Sequence, residues 1–245
     1  MERPASPGDS LPRDLWRSLQ VWRTDPALPV IELVLWGAWV LSAISGLLSI
    51  LTLPALAFSA GWVGTARIWY LRRFRGAGIE RHEIWRFTWW FVPSYVILGL
   101  LVGAVALLAW LPIVAALHGH PRELVLASTP IFLMVDFALT FVTPALAFST
   151  RRVRQAIRTG LAMIRDEWPS SAAYVFIPPL AITVVLRTLP FTAGGKGWSI
   201  AFGPVAALAN LAFRGATAAF YLRRHEVGPD GAIGGSPPDR TQAQP

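Results

Sequence analysis

Long apolar runs separated by arginine clusters set the pattern of this chain. The 37 residues from Val30 to Ala66 carry a single charge, Glu32, and comparable runs recur down to Leu222. A helix needs about 20 mostly apolar residues to cross the hydrocarbon of a bilayer. Six such segments can be placed, at 30–50, 54–71, 89–113, 127–150, 171–190 and 200–222. Inside lipid every backbone N–H and C=O must be satisfied within its own segment, so these runs predict helices. The expected fold class is all-α: a polytopic membrane helical bundle of about six transmembrane helices. It divides into an N-terminal segment 1–28, a membrane domain 29–224 and a tail 225–245. The tightest boundary is the first hairpin, where only Leu51 to Leu53 separate two spans and Pro54 supplies the break. A single kinked helix running to Ser59 is the alternative, and it would place the N-terminus on the other side.

The connections between spans carry their own periodicity. In 151–168, Val153, Ile157, Leu161, Ile164 and Trp168 recur at three- and four-residue spacing with arginines between them. That pattern predicts a basic amphipathic helix in the headgroup plane, with its stripe facing the bilayer or the bundle; a docking helix for a partner is the alternative. Segment 68–87 has a similar set of apolar anchors, including Ile68, Trp69, Phe74, Ile84 and Trp85. The stretch Gly228 to Pro245 is rich in Gly, Pro and Gln, too polar to order itself, and residues 1–11 look alike.

Two strings repeat. Pro54 to Ser59 and Pro144 to Ser149 both read Pro-Ala-Leu-Ala-Phe-Ser. Pro54 is followed by Tyr70-Leu-Arg-Arg73, and Pro204 by Tyr221-Leu-Arg-Arg224. Such tyrosines are expected in the interfacial aromatic belt, with the arginines at the headgroups. Gly99 and Gly103 form a GxxxG pattern in the third span, which permits close helix contact, intramolecular before dimeric.

Charge sets the threading. The net charge is +8, and 21 of the 22 basic residues are arginine. With six crossings, the arginines of the N-terminal segment, of 67–86, of 151–165 and of the tail all fall on one side. Arg122 and Lys196 fall on the other, with Arg187 close to it. The positive-inside rule makes the arginine-rich side cytoplasmic, so both termini are expected in the cytoplasm. Charged residues are only 15% of the chain against 54% hydrophobic, where a soluble domain carries about 25% charged. The basic groups flank apolar spans, so the bilayer and its anionic lipid headgroups are the expected counter-surface, and nucleic acid is not. A membrane or cytoplasmic protein partner remains open. There is no cysteine, which excludes disulfides and thiolate chemistry. The first apolar run is too long and too late for a cleaved signal sequence.

The order "WRTDPALPVIELVLWG", "LPALAFSAGWVGTARIWYLRRFRG" and "FVTPALAFSTRRVRQAIRTGLAMIRDEW" resembles uncharacterised bacterial six-helix integral membrane proteins, the YesL-like group among them. The resemblance implies a bacterial plasma-membrane protein in which a proline-led helix runs into a basic amphipathic segment. It implies no activity and no catalytic residues.

Few polar groups fall inside the spans. Asp136 lies near the middle of the fourth, where a carboxylate costs about 2.5–3.5 kcal/mol on insertion scales and calls for a partner. Arg214, at matching depth in the sixth span, is the favoured partner, ahead of Arg187 near the outer end of the fifth. The pair reads either as a register-fixing ion pair or as a proton or substrate relay. Asn210 is expected to bridge helices, and Glu32 to sit at the inner interface. His118, His120 and Glu123 share an outer loop without the spacing of a metal site. No P-loop, HExxH or Gly-x-Ser-x-Gly pattern occurs, so no catalytic, cofactor-binding or metal set is expected, and no enzyme activity. Two functions remain: an interaction or assembly protein of the membrane without chemistry of its own, or the permease-like subunit of a transporter.

Overall fold

The computed structural model describes residues 10–44, 49–188 and 195–224. They form eight α-helices and no strand: α1 (Ser10–Thr24), α2 (Ala27–Ile44), α3 (Ser49–Phe74), α4 (Arg81–Ala116), α5 (Pro121–Phe148), α6 (Val153–Asp166), α7 (Trp168–Thr188) and α8 (Gly195–Arg224). The six expected spans correspond to α2, α3, α4, α5, α7 and α8. Two described helices are long and apolar enough to cross a membrane, α4 and the Gly203–Arg224 part of α8. The tail 225–245 and residues 1–9 lie outside the described residues.

The first hairpin is two helices. Trp62 of α3 donates to Glu32 of α2 at 2.6 Å. In one continuous helix, thirty residues would hold these groups about 45 Å apart, so the chain reverses between them. α3 already includes Ser49, so Leu51 to Leu53 are helical and do not separate two spans, and Pro54 sits inside α3 rather than at its start. Segment 68–87 is not a separate helix, because its first half continues α3 and its second opens α4. A Schellman turn ends α3: Gly76 adopts φ 77°, and the N–H of Ala77 reaches Arg72 O at 2.9 Å. Glu80 and Glu83 then cap α4 reciprocally.

Small residues set the closest approaches. A Cβ on Gly61 would lie 2.1 Å from the carbonyl oxygen of Thr88, so α3 and α4 meet backbone to backbone there. A Cβ on Gly215 would lie 2.1 Å from Ser18 Oγ, which lets α1 lie against α8. Gly99 and Gly103 have nothing within 4 Å of a built Cβ. The GxxxG pattern therefore makes no close helix contact among the described residues, and the C-terminal half of α4 presents Leu100, Val105, Leu108 and Leu111 to its surroundings.

α1 is the element the sequence did not predict. Residues 10 and 11 belong to it, and Leu11, Asp14, Ser18 and Val21 are buried along one face. One arginine of each Tyr-Leu-Arg-Arg repeat explains its docking. Arg73, closing the first repeat, bonds Asp25 just beyond α1. Arg223, third in the second repeat, bonds Asp14 within α1. The two tyrosines do not form a lipid-facing belt. Both are fully buried, Tyr70 accepting from Trp22 Nε1 at 2.6 Å and donating to Leu211 O at 3.2 Å, and Tyr221 bonded to Ser149.

α6 is amphipathic as expected and, of the two surfaces open to its stripe, takes the bundle, with its buried face running through Ala156, Gly160, Met163 and Ile164. Val153 and Ile157 border that stripe, whereas Leu161 and Trp168 are exposed. Arg152, Arg154 and Arg158 point outward. Most of the charged contacts gather at one pole: Arg72 with Glu83, Arg73 with Asp25, Arg223 with Asp14, Arg224 with Glu167, and Arg151 stacked 3.8 Å over Trp90.

Candidate functional site

The centre of the bundle is hollow. A cavity of about 420 Å³ lies between α3, α4, α5, α7 and α8. A second hollow of about 400 Å³ lies between α2, α3 and α8. Arg214 and Asn210 of α8 border both, so this helix forms the partition.

Of the polar groups in the partition, Arg214 is paired with Glu32, whereas Asn210 is exposed. Glu32 is the one charge in its long apolar run, and it is buried. It accepts from Trp62 Nε1 at 2.6 Å and from Arg214 Nη1 at 3.2 Å. An indole N–H and a guanidinium on one carboxylate satisfy three groups that would each be costly unpaired. The sequence placed Glu32 at the interface, but the structure makes it the buried carboxylate bonded to Arg214. Asp136 lies in α5 and Arg187 in α7, and both side chains fall outside the described ones.

Arg67 was counted among the cytoplasmic arginines, yet its residue is only 5% exposed and it lines the central cavity. It sits seven residues before the end of α3, about 10 Å deep along the helix axis. Its Nη2 donates to Thr143 Oγ1 at 2.6 Å and its Nη1 to the carbonyl of Val63 at 3.3 Å. Those are two of the five donors of a guanidinium. Its Nε is buried with no hydrogen-bond partner among the described residues. Thr143 is fixed in turn, donating to Leu139 O at 2.9 Å, and its carbonyl accepts from the Tyr95 hydroxyl at 2.8 Å. Two arginines against one carboxylate leave the described wall of the two hollows with one positive charge. An uncompensated buried charge costs several kcal/mol, which makes this arginine the least explained group of the bundle on packing grounds alone.

α1 closes the arginine-rich pole beneath this chamber. Tyr174 of α7 lines the cavity and donates to Asp14 of α1, and Asp14 also holds Arg223. At the junction of α1 and α2, Asp25 accepts from Trp69 Nε1 at 2.7 Å and from Arg73. Burial raises the pKa of the Asp25 carboxyl, but the bonds from Arg73 and Trp69 outweigh it and hold it below the ordinary value.

The sequence carried weak signals for these features. Asp14 and Asp25 are eleven residues apart, three helical turns, which aligns them on one face of a helix. Arg67 stands one turn deeper than the Tyr-Leu-Arg-Arg group, further into an apolar span than the other arginines of its cluster. At the start of α5, His120 and Glu123 lie 3.8 Å apart and exposed, and no group of three metal-ligating side chains occurs among the described residues. Comparison with protein-family models, curated proteins and solved structures found no match.

Proposed function

We propose that the chain is a multi-pass integral membrane protein that crosses a bacterial plasma membrane six times, has both termini in the cytoplasm, and carries out no covalent chemistry. Its central cavity holds a small ligand or a lipid, the permease-like reading of the sequence. The observation that carries this is the cavity itself. Five helices contribute to it, and each brings polar or charged groups: Arg67 from α3, Tyr95 from α4, Thr143 from α5, Tyr174 from α7, and Asn210 and Arg214 from α8. Its volume falls within the range of small-molecule sites, about 300–1,000 Å³. Support for the threading comes from the pole where the ends of α3, α5 and α8 meet the starts of α2, α4 and α7 through charged contacts. Anionic lipid headgroups are the proposed counter-surface for that pole.

The interaction or assembly reading has one observation of its own. The outer half of α4 is apolar and little covered by the rest of the chain, which suits lipid or a partner helix.

The test is retention of a ligand. Wild-type protein extracted in mild detergent should release a small molecule or lipid on denaturation, detected by mass spectrometry at near-stoichiometric amount. Ala209→Phe, which fills the cavity, should lose it. Equal release from wild type and the filled variant would refute the cavity reading.

A further inference from the structure

We propose that the central cavity binds an oxyanion carried on an apolar body, with Arg67 as its primary seat and Arg214 as the flanking charge. The inference rests on the cavity reading above and adds the chemistry of the ligand.

Three features of the wall point to an anion. The first is charge: Arg67 and Arg214 both face the chamber, while Glu32, which neutralises Arg214, borders the second hollow and not this one. Among the described residues, no carboxylate lines the central cavity to repel an anion. The second is the orphaned donor. Arg67 is held by Thr143 and Val63 through its two terminal nitrogens, and its Nε is buried with no partner among the described residues. A guanidinium offers its donors in a rigid planar fork, whose edge matches the two oxygens of a carboxylate or phosphate. The third is positioning. Thr143 is itself pinned by Leu139 and Tyr95, so the guanidinium is oriented before anything binds.

The rest of the wall decides what the anion is attached to. Val63, Leu98, Leu139 and Phe213 make most of it apolar. A free hydrated ion gains nothing from such a surface, whereas an alkyl or acyl chain does. The Asn210 amide, on the same wall, can bond an ester or hydroxyl next to the acid group. Carboxylate and phosphate amphiphiles share this chemistry, and so, without the tail, does a small inorganic oxyanion.

The experiment uses the full chain purified in a neutral maltoside detergent. Binding of dodecyl phosphate, dodecanol and inorganic phosphate is measured by equilibrium dialysis. Saturable one-site binding of dodecyl phosphate is expected, with dodecanol at least about tenfold weaker, the worth of one charge-assisted hydrogen bond. Inorganic phosphate binding as well as dodecyl phosphate would keep the oxyanion and assign it to a free solute. Arg67→Gln should weaken dodecyl phosphate binding by about tenfold or more. Should that variant not fold, Arg67→Lys, which keeps the charge and loses the fork, should still weaken it. No saturable binding to wild type, equal binding of dodecanol, or full affinity in folded Arg67 variants would overturn the proposal. So would Asp136→Asn creating a site absent from wild type, since Arg67 would then be neutralised by its own chain. Loss of retained ligand in Ala209→Phe, with Arg67→Gln unaffected, would leave the cavity reading standing and reject the anion.

Discussion

Asp14 is the most exacting point at which to perturb the docking of α1. Its side chain is completely buried, and it receives Arg223 through both terminal nitrogens and the Tyr174 hydroxyl. Asp14→Asn keeps the shape and removes the charge. Breaking a fully buried pair costs about 3–5 kcal/mol. The Arg223 side chain retains 36% of its exposure and recovers part of its hydration, so about 2–3 kcal/mol is expected here. For a chain of this size, about 1 kcal/mol corresponds to roughly 2–4 °C in Tm, so the variant should melt about 4–12 °C lower. The assay is thermal unfolding of detergent-purified protein followed by fluorescence, run on Asp14→Asn, Arg223→Gln and the double variant. The double variant should be less destabilised than the sum by about 1–2 kcal/mol, because the second substitution removes a partner already lost. An Asp14→Asn shift below about 1 °C, or strict additivity, would refute the view that this pair holds α1 in place.

Further outcomes follow from individual contacts. Gly61→Leu should push α3 from α4 and lower stability by more than about 3 kcal/mol, whereas Gly37→Ala, with open space around it, should be neutral within about 0.5 kcal/mol in the same melts. Because the Asp25 carboxyl titrates lower in the folded protein, its contribution is fully present above its unfolded pKa, about 3.9, and is lost as pH falls through the lower folded value. Asp25→Asn should flatten that acid-side slope, and an unchanged slope would assign it elsewhere. On α6, Ala156→Asp should release the helix from the bundle, raising its proteolysis, while Leu161→Asp should not. Glu32→Gln should destabilise by about 2–4 kcal/mol by leaving Arg214 unpaired, and Arg214→Gln in the same chain should recover part of that loss.

Helix positions were largely legible because apolar run length decides them: each of the six runs overlaps a helix, although the run 30–50 extends past Ile44, the end of α2, into α3, and the stripe at 151–168 gave α6. α1 was not legible from run length. Its buried face is short and includes Asp14 and Ser18, which only make sense once Arg223 and the cleft at Gly215 are in place. The arginine clusters were read as one headgroup population, because sequence distance cannot separate an arginine at the pole from one a turn or two deeper. That is why Arg67 was missed. Arg214 was recognised as a buried cation from its depth, but its bonded carboxylate came from Glu32, on a helix 182 residues earlier in the chain. Depth matching ranks candidates along the membrane normal and says nothing about which helices are neighbours. The Tyr-Leu-Arg-Arg repeats were visible as strings, and the interfacial role assigned to their tyrosines was wrong because both rings pack inside the bundle.

The central claim is a six-crossing bundle with the arginine-rich pole, and with it the floor of the cavity, on the cytoplasmic side. The chain has no cysteine, so single substitutions report one position each. His118→Cys, Ala77→Cys and Gln155→Cys should be reacted with a membrane-impermeant maleimide in right-side-out membrane vesicles, before and after permeabilisation. The account predicts labelling of His118→Cys in sealed vesicles, and of Ala77→Cys and Gln155→Cys only once the membrane is opened. Labelling of Ala77→Cys or Gln155→Cys in sealed vesicles, or protection of His118→Cys, would contradict it.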